Sequence, residues 1–156
     1  MADHDNQRPR LVGIYEHGLD DKGRMVLPAK IRARLGETGM VGMLDGCLGL
    51  WTIDRFDAVS DRLLGLAESG EAPMRTYRQF MMFAAEVTPD VQGRVVIPQK
   101  LREHADLGSE VVVTGRGDRA EIWDKGRWTE EFDAVTTDGA GDAEPDVATT
   151  MADLRI

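Results

Sequence analysis

Two arginines, Arg24 and Arg94, stand in matching settings seventy residues apart: DDKGRMVLPAKIR at positions 20 to 32 and DVQGRVVIPQKLR at positions 90 to 102. An arginine carried on a strand at a hairpin edge presents a planar fork of donors. That fork matches guanine O6 and N7 in a major groove and discriminates by ~1 to 3 kcal/mol. Lys22 at the loop tip, with Lys30, Arg32 and Arg34 beyond it, has the charge and reach to meet phosphate oxygens and set register. Lys100 and Arg102 repeat two of these positions in the second copy. A solvated charged face is the competing reading for the cations that follow each loop.

The other repeated residues read as architecture. Asp20 and Asp90 suit the first position of a turn, and Gly23 and Gly93 its fourth, where a positive φ resists any side chain. Pro28 and Pro98 fit the first turn of a helix. Catalytic readings are weaker. Asp20 and Asp21 could ligate magnesium, but adjacent residues point to different sides and no third carboxylate follows at helical spacing. His4, His17 and His104 show no metal-ligand spacing with Cys47, and no phosphate loop, nucleophile elbow or dinucleotide fingerprint occurs. Cys47 follows a turn inside an apolar run, as an inert buried thiol would. The sequence argues against an enzyme, a metal centre or a cofactor.

The elements that must position these arginines repeat as well. Leu11 to Leu19 reads as a strand, residues 20 to 23 as a bulged hairpin turn, and Arg24 to Leu27 as the returning strand. A short helix then starts at Pro28, shows Ile31 and Leu35 on one face and stops at Gly36. MVGML and CLGLW flank Asp45-Gly46, a two-residue hairpin signal. The second copy runs the same way, from FAAEV through the turn and RVVIP to a helix over Gln99 to Ala105. A last hairpin follows around Gly115 to Asp118. Between the copies, Asp54 is a cap for a helix with Phe56, Val59, Leu63 and Leu66 on one side, and Pro73 opens another. Those stripes are expected in a core or a subunit interface.

Length and charge bound the rest. A chain of 156 residues holding two such copies makes each unit half the usual domain size, so the units must pack on each other, on a second copy of the chain, or both. The net charge is -9, yet eight acids against Arg155 alone fall between Thr129 and Ile156, so most of the acidity sits in the tail. Residues 20 to 34 are locally basic, and local charge governs contact with a polyanion more than the total does. From about Thr136 the composition predicts a disordered acidic tail. One cysteine, no apolar signal-like start and no run near the ~20 residues of a membrane span lead us to expect a soluble cytoplasmic protein.

LDDKGRMVLPAKIR and TPDVQGRVVIPQKLR, with LDGCLGLWTIDRF and RAEIWDKGRW, resemble the MraZ family of bacterial proteins built from two SpoVT-AbrB type domains. The resemblance covers Leu11 to Phe132. It implies a mainly β, α+β fold, a swapped-hairpin barrel formed by two pseudo-twofold repeats, with helices between and after them. The expected division is 11–56, a helical connection at 57–82, 83–128, and an extension with its tail at 129–156. It further implies a ring of subunits that binds direct repeats in double-stranded promoter DNA and regulates, generally represses, a division and cell-wall operon at the nucleoid. The family signature falls on Asp20 with Arg24 and on Asp90 with Arg94. The second loop departs by carrying Val91 and Gln92 for Asp21 and Lys22, and His104 for Arg34, so the first copy is expected to be the principal reader. An antitoxin-like module with a protein-binding acidic tail is the alternative.

Overall fold

The computed structural model describes residues 10–137 and 146–156, and the chain divides into two compact units at Lys125. In the first unit the two copies place their elements in the same order. The first contributes β1 (Ile14–Gly18), β2 (Arg24–Val26), α1 (Ala29–Leu35), β3 (Gly39–Met43) and β4 (Leu48–Thr52). After α2 (Ile53–Glu68) and α3 (Met74–Phe83), the second contributes β5 (Ala85–Val87), β6 (Arg94–Val96), α4 (Gln99–His104), β7 (Glu110–Gly115) and β8 (Ala120–Asp124).

The hairpins around Gly46 and Gly117 form as predicted, and both glycines take positive φ. The hairpin expected between the first two strands does not form. Asp20 N–H donates to the Arg24 carbonyl at 3.0 Å, but pairing stops at that turn. β1 instead pairs antiparallel with β7, and β2 with β6, so each strand crosses to the other copy. The result is a six-stranded antiparallel sheet in the order β1-β7-β8-β4-β3-β5, with a separate two-stranded ribbon, β2-β6. The sheet has two ends, β1 and β5, and is not a closed barrel.

Size explains the exchange. A half-sized unit buries little apolar surface alone, whereas crossing strands joins both halves into one core. Met25, Leu27, Ile31 and Leu35 pack in a single cluster with Val95, Ile97, Leu101, Val111 and Ile122. A second cluster sits beside it under the helices between the copies. There Trp51 meets Phe56 and Phe80 edge-on at 5.9 and 6.0 Å, and the two phenylalanines stack at 5.5 Å. Of the α2 stripe read from sequence, Phe56 is buried in this cluster, Val59 and Leu63 pack against it half-buried, and Leu66 lines an open apolar groove with them.

The cap of α2 is Thr52, not Asp54: its hydroxyl accepts from the Arg55 N–H at 3.3 Å. β4 runs straight into the helix, so the last extended residue takes the cap and Asp54 falls in the first turn, where its charge still complements the helix dipole.

The second unit, from Gly126 on, contains α5 (Lys125–Thr137) apart from its first residue, and α6 (Val147–Asp153). Trp128 and Phe132, one turn apart in α5, bring their rings to 5.8 Å. The acidic tail expected to be disordered therefore holds a helix at 147–153, while the part of that expectation covering residues 138–145 lies outside the described residues. Its cause is local: the Asp146 carboxylate caps α6 by accepting from the Thr149 N–H at 2.7 Å. Among the described residues no helix is long and apolar enough to cross a membrane.

Candidate nucleic-acid interface

Each signature loop is built by one carboxylate. Asp20 Oδ1 accepts from the backbone N–H of Lys22 at 3.0 Å and of Arg24 at 2.8 Å, and its Oδ2 accepts from Arg24 Nε at 2.7 Å. Asp90 does the same with Gln92 N and Arg94 N, both at 2.9 Å, and with Arg94 Nε at 3.0 Å. Backbone donation from Arg24, then its side-chain bond, holds the Asp20 carboxyl below its ordinary value. The Arg94 amide and then its side chain hold Asp90 low in the same way. Both carboxylates stay ionised at neutral pH.

These ion pairs are about two-fifths exposed, so they contribute little to stability. Their effect is positional. With Nε taken by the aspartate, each guanidinium keeps its Nη1–Nη2 edge for a second acceptor, and its direction is set by the turn.

The ribbon brings the two loops together. β2 and β6 pair Arg24 with Val96, Met25 with Val95 and Val26 with Arg94. Met25 and Val95 point into the core, at 2% and 3% exposure, so the alternation turns the four other side chains outward. Arg24 and Arg94 therefore lie on one diagonal of a single surface, not on separate halves. Two more hydrogen bonds lock the copies: Leu27 N–H donates to the Gly93 carbonyl at 2.9 Å, and Ile97 N–H to that of Gly23 at 2.7 Å.

Gly23 and Gly93 take φ of 80° and 79°, as the turn demands. A Cβ on Gly23 would come within 2.7 Å of the Ile97 carbonyl, and one on Gly93 would meet the Arg32 guanidinium. Arg102 in turn lies against Gly23 and donates from Nε to the Ile97 carbonyl at 2.9 Å. The half-buried Arg32 and Arg102 thus lie across the loop glycine of the opposite copy, a placement that spacing along the chain does not reveal. Lys22 is exposed at its loop tip, and Lys30, Arg34 and Lys100 are exposed on α1 and α4.

Three features were missed from sequence. Val26 and Val96 face outward at 40% and 58% exposure, between the arginines. Val91 is fully exposed at the second loop tip, where the first has Asp21. His104, read from sequence as a replacement for Arg34 and set aside as a metal ligand, places Nε2 2.7 Å from the Leu44 carbonyl and so ties α4 to the β3-β4 turn. Strand alternation could have exposed the valines; nothing local could have found the histidine's partner. Among the described residues no three His, Cys, Asp or Glu side chains are grouped to hold a metal ion.

Comparison with known proteins agrees with this duplicated architecture. A family model described as "MraZ protein, putative antitoxin-like" matches residues 11–76 and 80–141. The transcriptional regulator MraZ of Bifidobacterium longum is 42% identical over 142 residues, covering 89% of this chain and 93% of that protein. That of Symbiobacterium thermophilum is 40% identical over 120 residues, covering 76% and 87%. That of Caldanaerobacter subterraneus is 39% identical over 121 residues, covering 77% and 85%. With both copies matched in order and the signature turns built alike, the chain belongs to the MraZ family.

Proposed function

We propose that this chain is a DNA-binding transcriptional regulator whose β2-β6 ribbon enters the major groove. The observation that carries it is the pair of aspartate-braced arginines on one diagonal of a single exposed ribbon. A major groove about 12 Å wide admits a two-stranded ribbon, and a braced guanidinium edge matches guanine. Lys22, Lys30, Arg34 and Lys100 supply phosphate contacts around it, while Arg32 and Arg102 support the loops. The names of the curated relatives are those of regulators, not of enzymes.

The finer reading follows the family resemblance. The chain assembles into a ring, occupies direct repeats upstream of its own division and cell-wall operon, and represses it by excluding polymerase, in the cytoplasm at the nucleoid. Linked contacts strengthen binding by ~10² to 10⁴, which offsets the acidity of the chain as a whole. The test is a titration of the full chain against a duplex from its own upstream region at two salt concentrations. Tight, salt-dependent binding that falls about a hundredfold or more in the Arg24→Ala/Arg94→Ala double variant is expected. Unchanged affinity in a folded double variant would overturn the assignment.

A further inference from the structure

Val26 and Val96 are the unexplained part of the ribbon. They are outward-facing, β-branched and apolar, at 40% and 58% exposure, and the core needs neither of them. Isolated exposed valines are ordinary on a protein surface. These two are not isolated. The register sets Val96 opposite Arg24 and Val26 opposite Arg94, so arginines occupy one diagonal of the outward face and valines the other. Direct cross-strand neighbours lie about 4.5 to 5.5 Å apart, and residues two apart along a strand about 6.8 Å.

Against the ~3.4 Å rise between successive bases, the cross-strand spacing is about one and a half steps and the along-strand spacing about two. On a groove, an arginine and its cross-strand valine would reach the same or neighbouring base pairs, and the arginine and valine of one strand pairs about two steps apart. The major-groove edge of thymine carries the one methyl among the four bases, and it is matched by apolar contact. Resting on the DNA reading above, we infer that Val26 and Val96 recognise thymine C5-methyl groups beside the guanines taken by Arg94 and Arg24. The exchange of β2 for β6 maps Arg24–Val96 onto Arg94–Val26. The preferred element is therefore a guanine neighbouring a thymine, present once on each strand about the ribbon's pseudo-twofold axis.

The experiment alters the DNA before the protein. The full wild-type chain is titrated by fluorescence anisotropy, at one salt concentration, against its own upstream duplex made with thymine or with deoxyuridine at single positions. Deoxyuridine removes the methyl and keeps every hydrogen-bonding group. Affinity should fall about fourfold at each contacted thymine, the equivalent of one buried methyl, and stay constant elsewhere. In the Val26→Ser/Val96→Ser variant the thymine-to-uridine difference should vanish while the salt slope is kept. Equal binding of every substituted duplex by the wild type overturns the valine assignment and leaves the DNA reading standing. Absence of salt-dependent binding to any duplex overturns both.

Discussion

The two signature loops share a hydrogen-bond diagram and differ at their tips. Asp20 and Asp90 make the same three bonds, to within 0.3 Å. Yet the first loop tip carries Asp21 and Lys22 and the second carries Val91 and Gln92. The framework that aims an arginine is thus duplicated, while the charge that would hold a phosphate is not. Sequence favoured the first copy as the reader because its surroundings are more basic. On the ribbon, Arg24 and Arg94 are equivalent in bracing and exposure, so under the proposed DNA reading the asymmetry falls to phosphate contact and not to base reading.

The sharpest break in the likeness is at the glycines. An alanine at either position takes on left-handed strain of ~1 to 2 kcal/mol. At Gly93 the added methyl meets the flexible end of Arg32, which can move aside. At Gly23 it meets the backbone carbonyl of Ile97 at 2.7 Å, in the residue whose N–H donates to the Gly23 carbonyl across the copies. Gly23→Ala should lower unfolding free energy by ~3 kcal/mol or more, and Gly93→Ala by about half as much, in urea melts. Equal losses would mean the two loops yield alike.

Next in size come the single arginine changes. If both forks take guanines, Arg24→Ala and Arg94→Ala each weaken binding to the upstream duplex by ~1 to 3 kcal/mol, and by similar amounts. A large effect at Arg24 with none at Arg94 would restore the unequal reading drawn from sequence.

Acid tests the braces. Both aspartates titrate below their ordinary value of 3.8 when folded. A depressed carboxyl contributes its stability in full above the unfolded value and loses it as pH falls through the folded one. Melting temperature should therefore drop below about pH 3.8, and Asp20→Asn or Asp90→Asn should each flatten that acid limb by a similar amount, read by circular dichroism. A steeper limb in either variant would contradict the direction of the shift.

The smallest expected difference is at the loop tips. Lys22→Gln should reduce the slope of log affinity against log salt by about one. Gln92→Lys should raise it by about as much. A slope unmoved by either would place both tips outside the phosphate shell.

Much of this was legible because it is local. Asp, Gly and Pro at fixed offsets specify the turns, the positive φ and the helix starts, and the Asp45-Gly46 turn fixes its hairpin. What was not legible is the choice of partner. β2 shows the same in-out alternation whether it pairs with β1 or β6, so the residues alone favoured the nearer strand, and only the resemblance implied exchange. The same crossing hides Arg32 and Arg102, which look like free helix cations until the opposite glycine is brought under them. Thr52 and Asp54 are both good caps two residues apart, and the strand's end decided between them. In the tail, bulk composition outweighed the single Asp146 cap in the reading, and the helix after it went unseen.

The crossed pairing also has a consequence in time. Ile14 meets Thr114, and the first strand of the ribbon waits for its mate about seventy positions on. At synthesis rates of about 5 to 20 residues per second, some 5 to 20 s separate the emergence of β1 from that of β7. Over that interval the first copy leaves the ribosome with open strand edges and half a core, a state prone to pairing with whatever edge it meets. Two nascent chains on one message carry the same open edge, so polysomes are where a swap between molecules can compete with the swap within one.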